Sequence, residues 1–187
     1  MKSKTTQFIQ YLSHEIEDEQ KAEAYLNESL SLIGLVVMYF NGLEKSLDSL
    51  LCETISDRAD TLGLIMIQKL AYSAKVDLFK RFCDDFHNSC AIVIEGFGEL
   101  IAGLSEVGRL RNLVVHADWE NTDHEGYTFV RLKASAKGME QEYVQFSSES
   151  LEKLILQIIK EQEKLYTYWE NHAKLLYGGN NSASTNV

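Results

Sequence analysis

The sequence predicts an all-α fold, an up-and-down helical bundle with one small β-hairpin inserted before its last long helix. Proline is absent from the 187 residues, and a proline-free chain rich in Leu, Ile, Glu, Lys and Ala can sustain long helices. Apolar residues recur at spacings of three and four through most of the chain, which is typical of helices that bury one face. The exception is the stretch 127–146, where apolar and polar residues alternate as they do in strands.

The apolar spacing divides the helical part into successive segments. Asn27 is the expected cap of the second helix, which carries the longest apolar stripe. The third segment could form one helix or two shorter pieces, and the apolar spacing of the fourth continues across Gly96, Gly98 and Gly103. Gly178 and Gly179 end the last one. The expected helices are residues 5–26, 27–56, 62–86, 90–117 and 148–177.

The length of the chain predicts one domain with a substantial core, because 187 residues are too few for two domains of usual size. We expect that domain to span residues 1–177, with the hairpin at about 127–146. The tail, residues 178–187, has no apolar content to bury and is expected to be disordered.

Charge and cysteine content narrow the class of protein. The net charge of −10 repels nucleic acid at long range, so contact with RNA would require a local basic patch. Three cysteines and no recognisable signal peptide predict a cytoplasmic protein without disulfides. The longest apolar run, residues 32–40, is well short of the roughly 20 residues that cross a bilayer, so no membrane association is expected.

One stretch, SEVGRLRNLVVHADWE at residues 105–120, places strong polar groups within an apolar helical pattern. Arg109, Asn112 and His116 form a polar stripe at helical spacing. Arg111 precedes His116 by five residues, which leaves the two side chains roughly 140° apart on a regular helix. Either the helix unwinds near His116, or Arg111 and His116 meet through a second copy of the chain.

The residue types in this stretch suit phosphate chemistry. Imidazole can accept and return a proton near neutral pH, and a guanidinium can hold a phosphate and stabilise charge developing on it. These are the groups that RNA cleavage without a metal requires. Taken on spacing alone, Arg-x4-His is also what a helix-end histidine beside a surface arginine would produce.

The segment RNLVVHADW resembles the R-x4-6-H signature of HEPN (higher eukaryotes and prokaryotes nucleotide-binding) domains, in which Asn commonly follows the Arg. The resemblance extends over residues 28–177, through YFNGLEKSLDSLL, KLAYSAKVDLFKRF and a closing amphipathic helix, although only the RN…H core is specific. It implies an HEPN-like bundle with Arg111, Asn112 and His116 as the catalytic residues. It also implies a dimer that places two copies of this site face to face.

The sequence departs from part of that family at Asp118. In HEPN toxins silenced by a nucleotidyltransferase antitoxin, a modified Tyr stands two residues after the His, so adenylylation is not expected here. The carboxylate of Asp118 could instead tune His116 or repel phosphate. Arg109 and Glu44 are further supporting candidates, although the ordinary interpretation of Glu44 is a solvated residue at a helix edge.

Two clusters have metal-ligand residue types, and each has an ordinary alternative. Cys83, His87 and Cys90 are closely spaced but lack a fourth zinc ligand, so they could simply be small buried thiols near a helix end. The second cluster lies in the expected loop around residues 116–125, and the acidic residues of this loop could serve only for solvation. No GxSxG, P-loop or GxGxxG motif is present in a suitable context, and we expect no metal and no cofactor. The loop cluster consists of His116, Asp118, Glu120, Asp123, His124 and Glu125.

The resemblance therefore predicts a homodimeric, metal-independent endoribonuclease in a toxin or phage-defence setting. Its partners would be an RNA substrate and an antitoxin or regulatory protein. The alternative is a catalytically inactive HEPN-like module that binds a nucleotide or a partner protein.

Overall fold

The computed structural model describes residues 1–12, 16–56, 59–136 and 138–177. The expected disorder of the tail concerns residues outside this range. Within it the chain is mostly helical, with a four-stranded antiparallel sheet. The helices are α1 (Glu19–Ile55), α2 (Asp60–Ile67), α3 (Tyr72–Cys90), α4 (Phe97–His116) and α5 (Ser148–Tyr177). The strands are β1 (Lys2–Gln7), β2 (Asp118–Thr122), β3 (Tyr127–Ser135) and β4 (Gly138–Gln145).

The sheet shows that the all-α prediction is wrong. Strands β3 and β4 occupy the region where the sequence predicts a hairpin, but they are the inner pair of a sheet with the order β1-β4-β3-β2. β1 pairs antiparallel with β4 from Lys2 opposite Gln145 to Gln7 opposite Glu140. On the other edge, β2 pairs with β3 through an irregular register, and the hydroxyls of Thr122 and Thr128 lie 2.9 Å apart.

The first predicted helix, residues 5–26, is also wrong. Strand β1 extends into this segment as far as Gln7, and α1 begins only at Glu19. Asp18 caps α1, because its Oδ1 accepts a hydrogen bond from the backbone N–H of Lys21 at 3.1 Å. Asn27, the expected cap of a second helix, lies exposed inside α1. The two predicted helices up to Ser56 are therefore one strand followed by one helix of 37 residues.

The fourth helix begins later than predicted, at Phe97 rather than near Cys90. The preceding helix, α3, continues to Cys90 and ends at Ala91, whose φ of 52° is left-handed. Gly96 has a φ of 79°, a conformation that glycine adopts without strain, so it belongs to the connection and not to the helix. Ile94 lies in this connection and is buried. The connection therefore contains a core residue, and the apolar pattern of the sequence continues through it.

The described chain divides into two compact units. Unit 1 comprises Met1–Tyr39 and Arg109–Leu156, and unit 2 comprises Phe40–Gly108 and the residues from Gln157 onward. Helices α1, α4 and α5 contribute residues to both. The largest fully buried side chains of unit 1 include Tyr143, Phe146 and Leu151, and those of unit 2 include Phe40, Phe79 and Leu104.

By length and composition, α1 is long and apolar enough to cross a membrane. Its mean hydropathy is 1.2 over a window of which 22% is buried, and it is the one such helix in the described residues. Core helices of soluble proteins have the same length and composition, so this property is weak evidence for a membrane span.

Candidate functional site

The candidate site lies on the last two turns of α4, within unit 1. Val114 is fully buried and anchors this part of the helix. The indole Nε1 of Trp119 donates a hydrogen bond to the carbonyl oxygen of Val114 at 2.8 Å, which satisfies one of the carbonyls left open at a helix end. The Trp119 ring in turn packs on Phe146, with the ring centroids 5.1 Å apart. The helix end that carries His116 is therefore held by the core of unit 1.

The polar stripe of the sequence is a solvent-facing stripe in the structure. Arg109, Asn112 and His116 are all exposed, and His116 is the last residue of the helix. These three side chains share one face because residues three and four apart are neighbours on a helix surface.

Arg111 is half-buried and differs from the stripe in its surroundings. Its Nε lies away from solvent, whereas its Nη1 donates a hydrogen bond to Oδ1 of Asn112 at 3.1 Å. The guanidinium therefore turns toward the exposed stripe, although its Cα lies to one side of it. Asn112 is the residue that links Arg111 to the face on which His116 is exposed.

Helix α4 is continuous through His116, so the helix does not unwind between Arg111 and His116. Of the two arrangements open from the sequence, unwinding within one chain is excluded for these residues. The backbone positions of Arg111 and His116 remain roughly 140° apart around the helix axis.

Asp118 follows the helix and begins β2, where it pairs with Phe129 across the sheet. It is half-buried, and its Oδ2 accepts a hydrogen bond from Nδ2 of Asn121 at 2.6 Å. Its carboxylate is therefore occupied in the local turn, two residues after His116.

Glu44 has a partner that the sequence analysis did not foresee. It belongs to unit 2, where Nζ of Lys75 lies 2.8 Å from its Oε1 and 2.9 Å from Oδ2 of Asp48. Lys75 is only 5% exposed. Burial by itself would lower the pKa of Lys75, but the hydrogen bonds and charges of Asp48 and Glu44 outweigh it and raise that pKa.

The signal for this ion cluster was present in the sequence. Glu44 and Asp48 are four residues apart on α1, so both carboxylates project from one face. Lys75 interrupts the apolar face of α3, and a lysine is rarely buried unless it is paired. Glu44 is therefore a counter-ion of the buried Lys75, and its role is to stabilise the fold.

The three residues of the first metal candidate have different environments. Cys83 and His87 are buried, and Cys90 is exposed. His87 Nε2 accepts a hydrogen bond from the backbone N–H of Ile94 at 3.3 Å and lies 3.1 Å from the Tyr168 hydroxyl. Because its Nε2 is used in this way, His87 has the contacts of a core histidine.

In the loop cluster, Asp123 is buried and its Oδ2 lies 2.8 Å from Nζ of Lys4. Its Oδ1 accepts hydrogen bonds from the backbone N–H groups of Glu125 and Tyr127. Burial raises the pKa of Asp123, but these hydrogen bonds and the charge of Lys4 more than offset burial and lower it below its ordinary value. Asp123 thus joins β1 to the β2–β3 turn. Among the residues that the structure describes, no group of three His, Cys, Asp or Glu side chains is arranged to hold a metal ion.

No protein-family model, curated protein or solved structure matches this chain.

Proposed function

We propose that this protein is a metal-independent endoribonuclease that works as a homodimer in the cytoplasm, with Arg111, Asn112 and His116 as its catalytic residues. The observation that carries the proposal is the hydrogen bond from Arg111 to Asn112 on the face where His116 is exposed. This bond turns the Arg111 guanidinium toward Asn112, which lies one turn before His116 on the exposed face. This arrangement agrees with the resemblance of RNLVVHADW to the HEPN signature.

In the proposed reaction, the His116 imidazole takes the proton from a ribose 2′-hydroxyl. The O2′ atom then attacks the adjacent phosphorus, and the bond from phosphorus to the 5′-oxygen of the next nucleotide breaks. The leaving oxygen takes up a proton, which gives a 2′,3′-cyclic phosphate and a 5′-hydroxyl end. The Arg111 guanidinium donates hydrogen bonds to the non-bridging oxygens, where negative charge increases in the transition state.

The geometry of α4 supports the proposal of a dimer. The Cα positions of Arg111 and His116 diverge on a continuous helix, so we propose that each site combines Arg111 of one copy with His116 of the other. Arg109, exposed one turn before Asn112, would add positive charge for the RNA backbone. This local charge matters because the chain as a whole carries a net charge of −10.

The biological setting that we propose is a toxin or phage-defence effector whose activity is restrained by an antitoxin or regulatory protein. Asp118 takes the position of the modified Tyr in one group of HEPN toxins. Regulation would therefore use another means than adenylylation at that residue.

The deciding experiment is cleavage of a labelled RNA by the purified chain in EDTA. We expect cleavage that survives the chelator and leaves 2′,3′-cyclic phosphate ends. His116→Ala should lower the rate by about a hundredfold or more, since a positioned acid–base group contributes at least that much. Arg111→Ala should also lower it by about a hundredfold or more, because it removes the donors that stabilise negative charge in the transition state. Arg81→Ala, which removes an exposed arginine of α3 in unit 2, is the matched control and should cleave normally.

Two results would contradict the proposal. A wild-type protein that cleaves no RNA above background, but binds a nucleotide or partner protein through the same residues, would show the inactive binding module. Cleavage that is lost in EDTA and restored by zinc or manganese would show that a metal supplies the chemistry.

A further inference from the structure

A cavity of about 530 Å³ lies among α1, α3 and α5 within unit 2. Its volume is in the range of small-molecule sites in proteins. Phe82, Phe86 and Trp169 supply aromatic wall, Glu53 and Asp85 supply carboxylates, and His172 supplies an imidazole. None of these residues belongs to the proposed ribonuclease site.

His172 is the unusual member of this lining. It is only 8% exposed, and its ring lies between Phe86 and Trp169, with centroids 4.0 Å and 4.6 Å away. Its Nδ1 is buried and makes no hydrogen bond to any residue that the structure describes. Buried polar atoms nearly always have a partner, and this nitrogen has none among the described residues.

The charge of the lining indicates which kind of molecule would fit. Glu53 and Asp85 supply two carboxylates, and no Lys or Arg is among the described residues that line the cavity. One oxygen of Glu53 accepts a hydrogen bond from the indole Nε1 of Trp169 at 3.0 Å, which fixes the carboxylate against the aromatic wall. An anion such as a nucleotide phosphate would be repelled, and a cation would be attracted.

The imidazole does not oppose a cation. Burial, together with the nearby His87, lowers the pKa of His172 below its ordinary value despite the opposing effect of Glu53. A neutral imidazole offers a ring nitrogen as a hydrogen-bond acceptor. Aromatic rings also attract organic cations through their faces, and they provide apolar surface for the rest of the molecule.

We propose that this cavity binds a small organic ammonium ion with an aromatic or alkyl body. The body packs against Phe82, Phe86 and Trp169. The ammonium group is held by the carboxylates of Glu53 and Asp85 and donates a hydrogen bond to the ring of His172. This site is separate from RNA cleavage and does not depend on it.

The test uses three probes that share one body and differ in charge: phenylpropylammonium, phenylpropanol and phenylpropionate. Calorimetric titration of the full chain near neutral pH should show binding of the ammonium probe. The alcohol should bind about tenfold more weakly, because it loses the charge but keeps the apolar contacts. The carboxylate should not bind. Equal or tighter binding of either of these two, or no binding of the ammonium probe at millimolar concentration, would overturn the proposal.

Variants locate the site. Asp85→Asn should weaken binding of the ammonium probe several-fold, while Asp77→Asn, which makes the same change at an exposed position of α3 outside the cavity, should not. His172→Phe keeps a ring between Phe86 and Trp169 and removes both ring nitrogens, so it should also weaken binding. Wild-type affinity in both Asp85→Asn and His172→Phe would show that the probe binds elsewhere. Arg111→Ala should bind the probe normally, which separates this site from the ribonuclease proposal.

Discussion

The Nη1 atom of Arg111 donates a hydrogen bond to Oδ1 of Asn112 at 3.1 Å, and this bond joins two residues that point in different directions on α4. Consecutive residues on a helix are about 100° apart, so only the length of the arginine side chain permits the contact. Asn112 stands one turn before His116 on the exposed face. The bond therefore gives the Asn of the R-N-x3-H pattern a physical role, which is to orient the arginine.

Asn112→Ala tests that role directly. We expect the variant to fold with a free energy of unfolding within about 0.5 kcal/mol of the wild type, because Asn112 is exposed. Its RNA cleavage rate should fall by roughly tenfold, which is less than the loss in Arg111→Ala, since the guanidinium remains but is no longer oriented. Single-turnover cleavage of a labelled RNA measures both variants. A wild-type rate in Asn112→Ala would remove the proposed positioning role.

A mixed dimer tests whether the two copies share each site. If Arg111 of one copy works with His116 of the other, a dimer of Arg111→Ala and His116→Ala chains has one intact site and one doubly damaged site. Dimers purified through both tags should then have about half of the wild-type activity, because one of their two sites is intact. The measurement is RNA cleavage after the two variants are co-expressed with different affinity tags and purified through both.

The control for this experiment is each variant alone, purified in the same way. Activity that stays at the level of the single variants would mean that Arg111 and His116 act within one chain. Light scattering that shows a monomer at tens of micromolar would contradict the dimer itself.

The wrong prediction of a helix at residues 5–26 has a physical cause. Phe8, Ile9 and Leu12 have helical spacing, but Ile9 is 90% exposed, so the spacing does not reflect a buried face. The segment before them forms β1 through backbone hydrogen bonds with β4, more than a hundred residues away. Such pairing leaves little trace in the local sequence, because the side chains of β1 are nearly all exposed and polar.

The candidate site was more predictable than the sheet because it depends on one helix. Apolar spacing around Val107 and Val114 fixed which face of α4 is buried, and so which face exposes Asn112 and His116. The contacts of Arg111 and Asp118 could not be predicted, since they depend on side-chain rotamers and on the turn after the helix. The burial of Lys75 beside Glu44 was missed because the two residues are 31 positions apart in the chain.

The pair of Lys4 and Asp123 should make the stability of the protein depend on pH in the acid range. The folded state holds the pKa of Asp123 below its ordinary value of 3.8. The contribution of this carboxylate to stability is therefore fully present above that value, and it is lost as the pH falls through the lower pKa of the folded state. Asp123→Asn keeps the amide oxygen for the turn but loses the ion pair, and should lower the free energy of unfolding at neutral pH by about 1–2 kcal/mol.

Urea unfolding of the wild type and Asp123→Asn at several pH values measures this dependence. The difference in the free energy of unfolding between the two proteins should become smaller as the pH falls below the ordinary pKa of an aspartate. Glu149→Gln removes a carboxylate from an exposed pair with Lys153 and should behave like the wild type. If the difference in the free energy of unfolding between wild type and Asp123→Asn stays constant down to the acid transition, the charge of Asp123 contributes nothing to stability.

Lys75 is buried between Glu44 and Asp48. Lys75→Met fills a similar volume but removes the positive charge, and it leaves two partly buried carboxylates side by side without their counter-ion. We expect a loss of about 2–3 kcal/mol in the free energy of unfolding, somewhat less than for a fully buried pair because both carboxylates keep some contact with water. Lys80→Met on the same helix breaks only an exposed pair with Asp84, and its free energy of unfolding should be close to that of the wild type.

Combining Lys75→Met with Glu44→Gln and Asp48→Asn should recover part of the lost stability in chemical denaturation, since it removes the unpaired charges. If the triple variant is no more stable than Lys75→Met, the loss comes from packing around Lys75 rather than from its charge.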